Sequence, residues 1–233
     1  MLDFHTHILP GVDDGSQGVD ESMQMLERMQ GQGIETVVAT PHFYANDESV
    51  DDFLARREAA LRSLEERPEG GPDIVLGAEV RYYEGISRMP DLNKLRIRNS
   101  RLLLLEMPFR PWTEYAVKEV IDIACQGRIT PVLAHVERYL FLQKKGVAAR
   151  LLESGVLFQA NSSFLTGWRG RRQAMNMIRK GQIHFIGSDC HNLTDRPPNA
   201  AEAFSLIEKK LGKPFATAMI EYERELLLHS KEN

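Results

Sequence analysis

The feature that most constrains the fold of this chain is an alternation of short apolar runs with longer segments of helical periodicity. Such runs, when about four to eight residues long, are typical of buried strands. Since parallel strands need a long crossover between them, the alternation predicts an α/β fold with a largely parallel sheet. The seven predicted strands are Leu2 to Ile8, Thr36 to His42, Ile74 to Val80, Leu102 to Met107, Ile129 to His135, Leu157 to Asn161 and Ile183 to Asp189.

The chain length predicts one domain. A chain of 233 residues can bury one substantial core, and the strand–helix rhythm continues throughout, so we expect a single domain over residues 1–233. Seven strands are one fewer than in the common eight-stranded barrel. A distorted α/β barrel related to the TIM barrel therefore competes with an open doubly wound sheet, and both bind ligands at the carboxyl ends of their strands.

Composition excludes several classes of function. A net charge of −4 argues against general nucleic-acid binding, which needs an excess of Lys and Arg. No segment approaches the roughly 18 apolar residues of a membrane span, and the N-terminal residues do not resemble a signal peptide. Two cysteines, Cys125 and Cys190, are too few for a disulfide framework. We therefore expect a cytoplasmic protein without membrane insertion.

Histidines and carboxylates follow the predicted strands. A single histidine or glutamate at a strand end is more often a hydrogen-bonded structural residue than a metal ligand. Here nine such donors fall at or just after strand ends, and His5 and His7, two residues apart, share one face of the first strand. The nine candidate metal ligands are His5, His7, Asp14, His42, Glu79, Glu106, His135, Asp189 and His191.

Nine converging donors predict a metal centre. Their charges and lone pairs would repel one another without cations, so we infer two or three divalent ions. The donors are nitrogen and oxygen, and no thiolate is required. This chemistry favours manganese, iron or zinc over a structural cysteine–zinc site.

Two arginines follow the later histidines. Arg138 lies three residues after His135, and Arg196 lies five residues after His191. Each could be a solvated loop residue, but a guanidinium is well suited to a bidentate contact with phosphate. Their positions favour a phosphate over an uncharged amide as the reacting group.

Six short motifs follow the strands in order. The first is His5-Thr-His7-Ile-Leu-Pro-Gly-Val-Asp13-Asp14-Gly-Ser, and the others are Ala39-Thr-Pro-His42, Gly77-Ala-Glu79, Leu105-Glu106-Met-Pro, His135-Val-Glu-Arg138-Tyr and Gly187-Ser-Asp189-Cys-His191-Asn. In sequence and order they resemble the motifs of the bacterial PHP-domain protein-tyrosine phosphatases of capsule and exopolysaccharide synthesis. The resemblance extends from residue 3 to about residue 200, which is too long for a chance motif.

The resemblance implies a distorted seven-stranded PHP barrel with a trinuclear site that holds manganese. It implies that the nine donors are ligands and that Arg138 and Arg196 hold the phosphate. The expected substrate is a phosphotyrosine protein, namely the tail of a bacterial tyrosine kinase that controls polysaccharide synthesis. We expect attack on phosphorus by a hydroxide that bridges two metals.

The chain departs from the family at two positions. Val136 follows His135 where the family usually has proline, which could change the loop that carries Arg138 because valine does not fix φ. Cys190 stands where a small residue is usual. It also lies at the Cys-x5-Arg spacing of cysteine-dependent phosphatases with Arg196, but no glycine separates the two residues. We therefore expect Cys190 not to be a nucleophile.

Three alternative functions stay open. A metal-dependent amidohydrolase also begins with His-x-His on a first barrel strand, but it needs no arginine pair. A PHP-type phosphoesterase could act on a small metabolite or on nucleic-acid ends, although the acidic balance weakens the latter. A metal-binding or kinase-docking module would not turn over an aryl phosphate.

A small basic patch stands apart from these motifs. The sequence Trp168-Arg169-Gly-Arg171-Arg172 is more typical of a helix start with solvated charges than of a docking site. An acidic, phosphorylated segment is nevertheless compatible with it.

Overall fold

The computed structural model describes residues 1–64 and 70–229. These residues form nine strands and eight α-helices. The strands are β1 (Leu2–Thr6), β2 (Thr36–Ala39), β3 (His42–Phe43), β4 (Asp73–Leu76), β5 (Glu79–Arg81), β6 (Leu102–Glu106), β7 (Thr130–Leu133), β8 (Leu157–Asn161) and β9 (Phe185–Gly187). The helices are α1 (Val19–Gly31), α2 (Val50–Arg62), α3 (Glu114–Cys125), α4 (Val147–Glu153), α5 (Ser162–Thr166), α6 (Arg171–Arg179), α7 (Ala200–Leu211) and α8 (Lys213–His229). No helix in these two ranges is both long and apolar enough to cross a membrane.

All paired strands run parallel, in the orders β1-β2-β4 and β3-β5-β6-β7-β8-β9. The sheet curls until its last strand meets its first. The Asp189 N–H donates to the His5 carbonyl at 2.8 Å, and the His7 N–H donates to the Cys190 carbonyl at 2.9 Å. The prediction of a barrel-like α/β fold is confirmed, and the contact between β1 and β9 argues against the open doubly wound alternative.

Two of the predicted strands are each divided into two. The predicted strand Thr36 to His42 becomes β2 and β3, and its break contains Pro41, which has no N–H for the ladder. The predicted strand Ile74 to Val80 becomes β4 and β5, with its break at Gly77. A Cβ on Gly77 would lie 3.0 Å from Ile97 Cγ1, so this break is tightly packed. The two breaks lie side by side and distort the barrel.

Apolar packing fills the barrel on the side away from the strand ends. A cluster of buried residues joins strands that are not neighbours in the sheet, such as Val38 of β2 and Val132 of β7, so it occupies the inside of the curl. Phe4 and Phe185 stack with ring centroids 3.7 Å apart, and each buried ring contributes roughly 1.5–3 kcal/mol. Leu227 of α8 joins this cluster. The polar side chains of the opposite end are thereby held on a rigid base.

Candidate metal centre

The first group of donors comes from both ends of the barrel closure. His5 and His7 are fully buried, and their Nε2 atoms lie 3.1 Å apart, which confirms that the two imidazoles share a face. Asp189 Oδ1, beyond β9, lies 3.6 Å from His5 Nε2 and 3.4 Å from His7 Nε2. One potential ligand atom from each of the three residues lies within 4.8 Å of the other two. This spacing suits one shared cation.

The second group begins on the strands that follow the two breaks and continues to the ends of the next two strands of the sheet. Parallel pairing places His42 of β3 opposite Glu79 of β5, with His42 Nδ1 at 3.0 Å from Glu79 Oε2. Glu106 completes a group whose three ligand atoms lie within 4.8 Å of one another. His135 Nε2 lies 2.9 Å from Glu79 Oε1 and 3.6 Å from Glu106 Oε1. The parallel neighbours β3, β5, β6 and β7 therefore bring four predicted donors together.

The third group connects the other two. Asp14 Oδ1 lies 3.5 Å from His42 Nε2 and 3.4 Å from His191 Nε2, and His7 completes a group of four. Since His7 and His42 each belong to two groups, the three groups are contiguous. The structure thus brings all nine predicted side chains into one cluster, and their role as metal ligands stays a prediction.

The cluster fits cations because several of its buried nitrogen and oxygen atoms have no hydrogen-bond partner among the described residues. Glu79 Oε2 lies within 3.5 Å of nitrogens of His5, His7 and His42, yet it makes no hydrogen bond to any described residue. His42 Nδ1 and His191 Nε2 are likewise buried without a described hydrogen-bond partner. Leaving such an atom unpaired costs about 1–3 kcal/mol. Lone pairs that converge without bonding one another are what a divalent ion requires.

Charges within the cluster keep two buried carboxylates ionised. Burial by itself raises the pKa of Glu79, but the imidazoles of His5, His135 and His42 outweigh it and hold this pKa well below its usual range. Burial also opposes ionisation of Asp189, whose pKa is held well below its usual value by His5 and His7. The pKa of Glu106 is raised by burial and by the charge of Glu79.

The pKa values of His7 and His191 are shifted in opposite directions. Burial disfavours protonation of His7, but hydrogen bonds to carboxylates, first to Asp13, raise its pKa well above its usual value. Burial, with the charges of His7 and Arg196, lowers the pKa of His191 to about 4. A neutral His191 has a free lone pair for a cation near pH 7.

Asp13 is a positioning residue that the sequence interpretation missed. Its Oδ2 lies 2.6 Å from His7 Nδ1 and accepts the His42 N–H at 2.9 Å, while its Oδ1 accepts the Gly15 N–H at 2.9 Å. Asp13 therefore orients His7 and ties β3 to the first loop. The sequence signal for it was the Asp-x-Gly spacing, because an aspartate side chain often accepts a hydrogen bond from the backbone N–H two residues later.

A second missed pair lies on β8. Gln159 Oε1 accepts the His135 N–H at 2.6 Å and lies 3.3 Å from His5 Nδ1. Gln159 Nε2 donates to Asn161 Oδ1 at 3.0 Å, and Asn161 Nδ2 donates to Asp189 Oδ2 at 2.8 Å. Two buried amides on an otherwise apolar strand were the signal, because such groups need buried partners. They hold three predicted donors in place.

The backbone is strained at two of the predicted ligands. His135 has φ 31° and Asp189 has φ 54°, in the left-handed region that costs a non-glycine residue about 1–3 kcal/mol. Gly187 lies two residues before Asp189, and a Cβ there would be 2.6 Å from the His5 Cβ. Strain and close packing at these positions indicate that the surrounding fold enforces the geometry of the donors.

Both predicted arginines reach the cluster through one carboxylate. Arg138 Nη2 lies 2.6 Å from Asp189 Oδ2, and Arg196 Nη2 lies 2.6 Å from Asp189 Oδ1. Their side chains are 36% and 39% exposed, so both face the opening of the site. The buried Val136 does not prevent this approach of Arg138. Contact with phosphate stays a prediction.

Cys190 is buried in the wall of the barrel. Burial, with the charges of Asp3 and Asp189, raises the pKa of its thiol well above the usual value, which disfavours a thiolate. The loop towards Arg196 uses its N–H groups internally: His191 N–H donates to the Arg196 carbonyl at 2.9 Å, and Asn192 Oδ1 accepts three other N–H groups. This loop is therefore not a phosphate cradle, as expected from its lack of glycine.

Known proteins of one family match almost the whole chain. The family model described as "Capsular polysaccharide synthesis, CpsB/CapC" matches residues 1–229. The chain is 34% identical over 241 residues to the tyrosine-protein phosphatase YwqE of Bacillus subtilis (strain 168), covering 99% of this chain and 92% of the relative. It is 30% identical over 230 residues to the tyrosine-protein phosphatase CpsB of Streptococcus pneumoniae, covering 91% of each chain.

Solved structures show the same fold. A structure from a study of YwqE from Bacillus subtilis and CpsB from Streptococcus pneumoniae, described as unique metal-dependent tyrosine phosphatases, matches with a TM-score of 0.81 and 28% identity. The match covers 100% of this chain and 96% of that one. The lactonase Lmo2620 from Listeria monocytogenes, with a TM-score of 0.58 and 10% identity over 100% of this chain and 95% of that one, shares the fold alone.

Proposed function

The chain belongs to the CpsB/CapC family of capsular polysaccharide synthesis, and we propose that it is a metal-dependent phosphatase that hydrolyses phosphotyrosine on a partner protein. The family relatives named above are tyrosine-protein phosphatases, and the matching structures are described as metal-dependent. The observation that carries the proposal is the cluster of nine nitrogen and oxygen donors beside two arginines.

The three overlapping groups of donors would hold two or three divalent ions. Manganese is the ion that we propose, with iron and zinc as alternatives, because the donors are imidazole and carboxylate without thiolate. Bound divalent ions supply a nucleophile from water at neutral pH and neutralise charge on phosphoryl oxygens. Asp13, Gln159 and Asn161 would hold the ligands in their positions.

Arg138 and Arg196 would bind and orient the phosphoryl group. Each now shares the Asp189 carboxylate at 2.6 Å, so each already points at the centre of the cluster. If Asp189 held a cation, its oxygens would be less available to the two guanidinium groups, which could then bind phosphoryl oxygens. The two guanidinium groups would then stabilise the negative charge that develops on these oxygens during phosphoryl transfer.

The leaving group fits this arrangement. The phenol of tyrosine has a pKa of about 10, so its phenolate leaves far more easily than the alkoxide of serine or threonine. We therefore assign no general acid. An aryl ester is the substrate that this set of residues would hydrolyse best.

The partner and the cellular location extend the proposal. The family description supports a role in capsular polysaccharide synthesis, and the motif resemblance supports the tail of a tyrosine kinase as the substrate. We propose a single domain and a cytoplasmic location. The free thiols of Cys125 and Cys190 support the latter, because a reducing compartment preserves thiols.

The test combines elemental analysis with substrate comparison. Purified protein is assayed on phosphotyrosine, phosphoserine and phosphothreonine peptides, with and without a strong chelator. We expect bound divalent metal, turnover of the phosphotyrosine peptide first, and loss of activity with chelator that added manganese restores. Equal turnover by metal-free protein would contradict the metal centre, and hydrolysis of amides alone would favour the amidohydrolase alternative.

A further inference from the structure

Three loops at the active-site end expose large aromatic rings. Phe109 follows β6, Phe141 follows β7 and Trp168 follows β8, and these side chains are 53%, 70% and 80% exposed. The strands β6, β7 and β8 are consecutive neighbours in the sheet. Since all three strands are parallel, their following loops lie along one stretch of the rim. Exposed apolar side chains grouped in this way are typical of an interaction surface.

Exposed basic residues follow each of these aromatic residues closely in the sequence. Arg110 follows Phe109, Lys144 and Lys145 follow the turn that carries Phe141, and the Arg169 guanidinium lies 5.0 Å from the Trp168 ring centroid. In residues 1–64 and 70–229, none of these four basic side chains has an ion-pair partner. Glu114 interacts electrostatically with Lys144 over a longer distance, but its carboxylate is paired with Arg150 at 2.9 Å. We call this surface, made of Phe109, Arg110, Phe141, Lys144, Lys145, Trp168 and Arg169, the aromatic–basic rim.

The aromatic–basic rim is continuous with the metal centre. The Phe109 ring packs edge-on against His135 with centroids 5.6 Å apart, and the Arg138 guanidinium lies 6.0 Å from the Phe109 ring centroid. Gln143 ties the loops after β6 and β7 together, since it accepts the Trp112 N–H at 2.8 Å and donates to the Arg110 carbonyl at 3.1 Å. A ligand bound at the arginines would therefore extend directly onto this surface.

The opposite part of the rim lacks this basic character. The loop after β1 and the segment after β3 contain no Lys or Arg in residues 8–18 or 44–49. Asp14 and Asp47 are exposed there, whereas Glu48 is paired with Arg56. An anionic segment that leaves the metal centre is therefore attracted towards the aromatic–basic rim.

We propose that the aromatic–basic rim is a docking surface for the acidic polypeptide segment that flanks the phosphotyrosine of the substrate protein. The proposal rests on the proposed function and specifies its substrate. Basic side chains attract Asp and Glu of the segment, and the exposed rings pack against its side chains and backbone.

The first experiment compares substrates. Initial rates are measured for 4-nitrophenyl phosphate and for two phosphotyrosine peptides of equal length, one flanked by Glu and Asp and one by Lys. We expect kcat/KM to be about tenfold higher for the acidic peptide at low salt, and this preference to shrink as salt screens the rim charges. Equal kcat/KM for the two peptides would overturn the proposal.

The second experiment changes the rim outside the metal centre. Lys144→Glu combined with Lys145→Glu, and Phe141→Ser combined with Trp168→Ser, should each raise KM for the acidic peptide about three- to tenfold. The control for charge is Lys209→Glu with Lys210→Glu, an exposed lysine pair on α7. The control for the rings is Tyr222→Ser, an exposed aromatic on α8.

The 4-nitrophenyl phosphate assay separates the two levels of the proposal. Unchanged hydrolysis of this small substrate together with a raised peptide KM supports docking. Unchanged peptide KM in both rim variants overturns docking while the proposed function stands. An equal loss on both substrates would show damage to the metal centre and contradict docking as well. If the native protein hydrolyses neither substrate with added manganese, the proposed function itself fails.

Discussion

Two buried carboxylates of the metal centre and two buried carboxylates elsewhere in this barrel behave in opposite ways. Glu79 and Asp189, in the metal centre, are 1% and 3% exposed and have pKa values held well below their usual range. Asp3 and Glu223, where β1 and β9 meet α8, are fully buried; burial raises the pKa of Asp3 to about 6 and that of Glu223 well above its usual value. Burial is therefore common to both regions and does not distinguish a functional carboxylate.

The difference lies in the partners. Glu79 and Asp189 are surrounded by imidazoles, and Asp189 also contacts two guanidinium groups. Glu223 Oε1 accepts the Ile186 N–H at 2.8 Å, but its Oε2 has no hydrogen-bond partner among the described residues, and the charge of Asp3 opposes its ionisation. The metal centre is thus prepared for cations, whereas Glu223 is accommodated as a neutral acid.

The largest effect should come from Glu79→Gln. The amide has nearly the same shape but carries no charge for the surrounding donors and cations, so we expect aryl-phosphate turnover to fall about a thousandfold or more, as when an essential group is removed. Metal content measured by elemental analysis should fall with it. Glu223→Gln, the same change in the other region, is the matched control and should keep near-native turnover. Equal losses in the two variants would remove the distinction between the regions.

The next effect concerns the arginines that contact Asp189. Arg138→Ala or Arg196→Ala should cost about 2–4 kcal/mol of transition-state stabilisation, the scale of losing one charge-stabilising donor. Metal content should stay near native, because neither residue is a proposed ligand. Arg169→Ala, on the rim, is the control for 4-nitrophenyl phosphate. Wild-type kcat/KM in the alanine variants, or loss of the metals, would show that the assigned role is wrong.

A smaller effect should appear in stability rather than in turnover. The folded-state pKa of Glu223 is raised above 4.5, so the folded protein keeps a proton that the unfolded chain releases. This contribution to stability is present below pH 4.5 and is lost as pH rises through the folded pKa. Gln cannot ionise, so Glu223→Gln should gain stability relative to wild type as pH rises, by about 1.4 kcal/mol per unit by which the pKa is raised.

Urea unfolding at pH 5 and pH 8 measures this difference. The exposed Glu221→Gln on the same helix is the control, and it should show no such gain. A constant difference between Glu223→Gln and wild type at the two pH values would mean that Glu223 is ionised in the folded protein.

The smallest effect on activity should come from Cys190→Ala. This thiol lies between the two regions, fully buried, and the charges of Asp3 and Asp189 both oppose its ionisation. We expect turnover with saturating manganese within about threefold of native, since a nucleophile's removal would cost a thousandfold or so. A loss on that larger scale would assign the chemistry to the thiol.

Much of the metal centre could be predicted from the sequence because its donors follow strands. The spacing of His5 and His7 places both on one face, and parallel strands bring the ends of distant segments together. The residues that the sequence interpretation missed act through partners far along the chain. Asp13 contacts His42, and Gln159 contacts both His5 and His135. Such contacts cannot be recognised from the local periodicity of the sequence.

What the sequence determined by itself is the alternation of strands and helices, the positions of the nine donors and the two arginines at strand ends, and the unsuitability of the Cys190 loop as a phosphate cradle. Only the tertiary structure decided that two strands break at Pro41 and Gly77, that His135 and Asp189 take left-handed backbone conformations, and that both arginines converge on Asp189. The physical reason is the distance along the chain between the residues that interact. Strand patterns arise from interactions between residues close in sequence, whereas strained conformations and buried charges persist only when the packing of the whole barrel holds them.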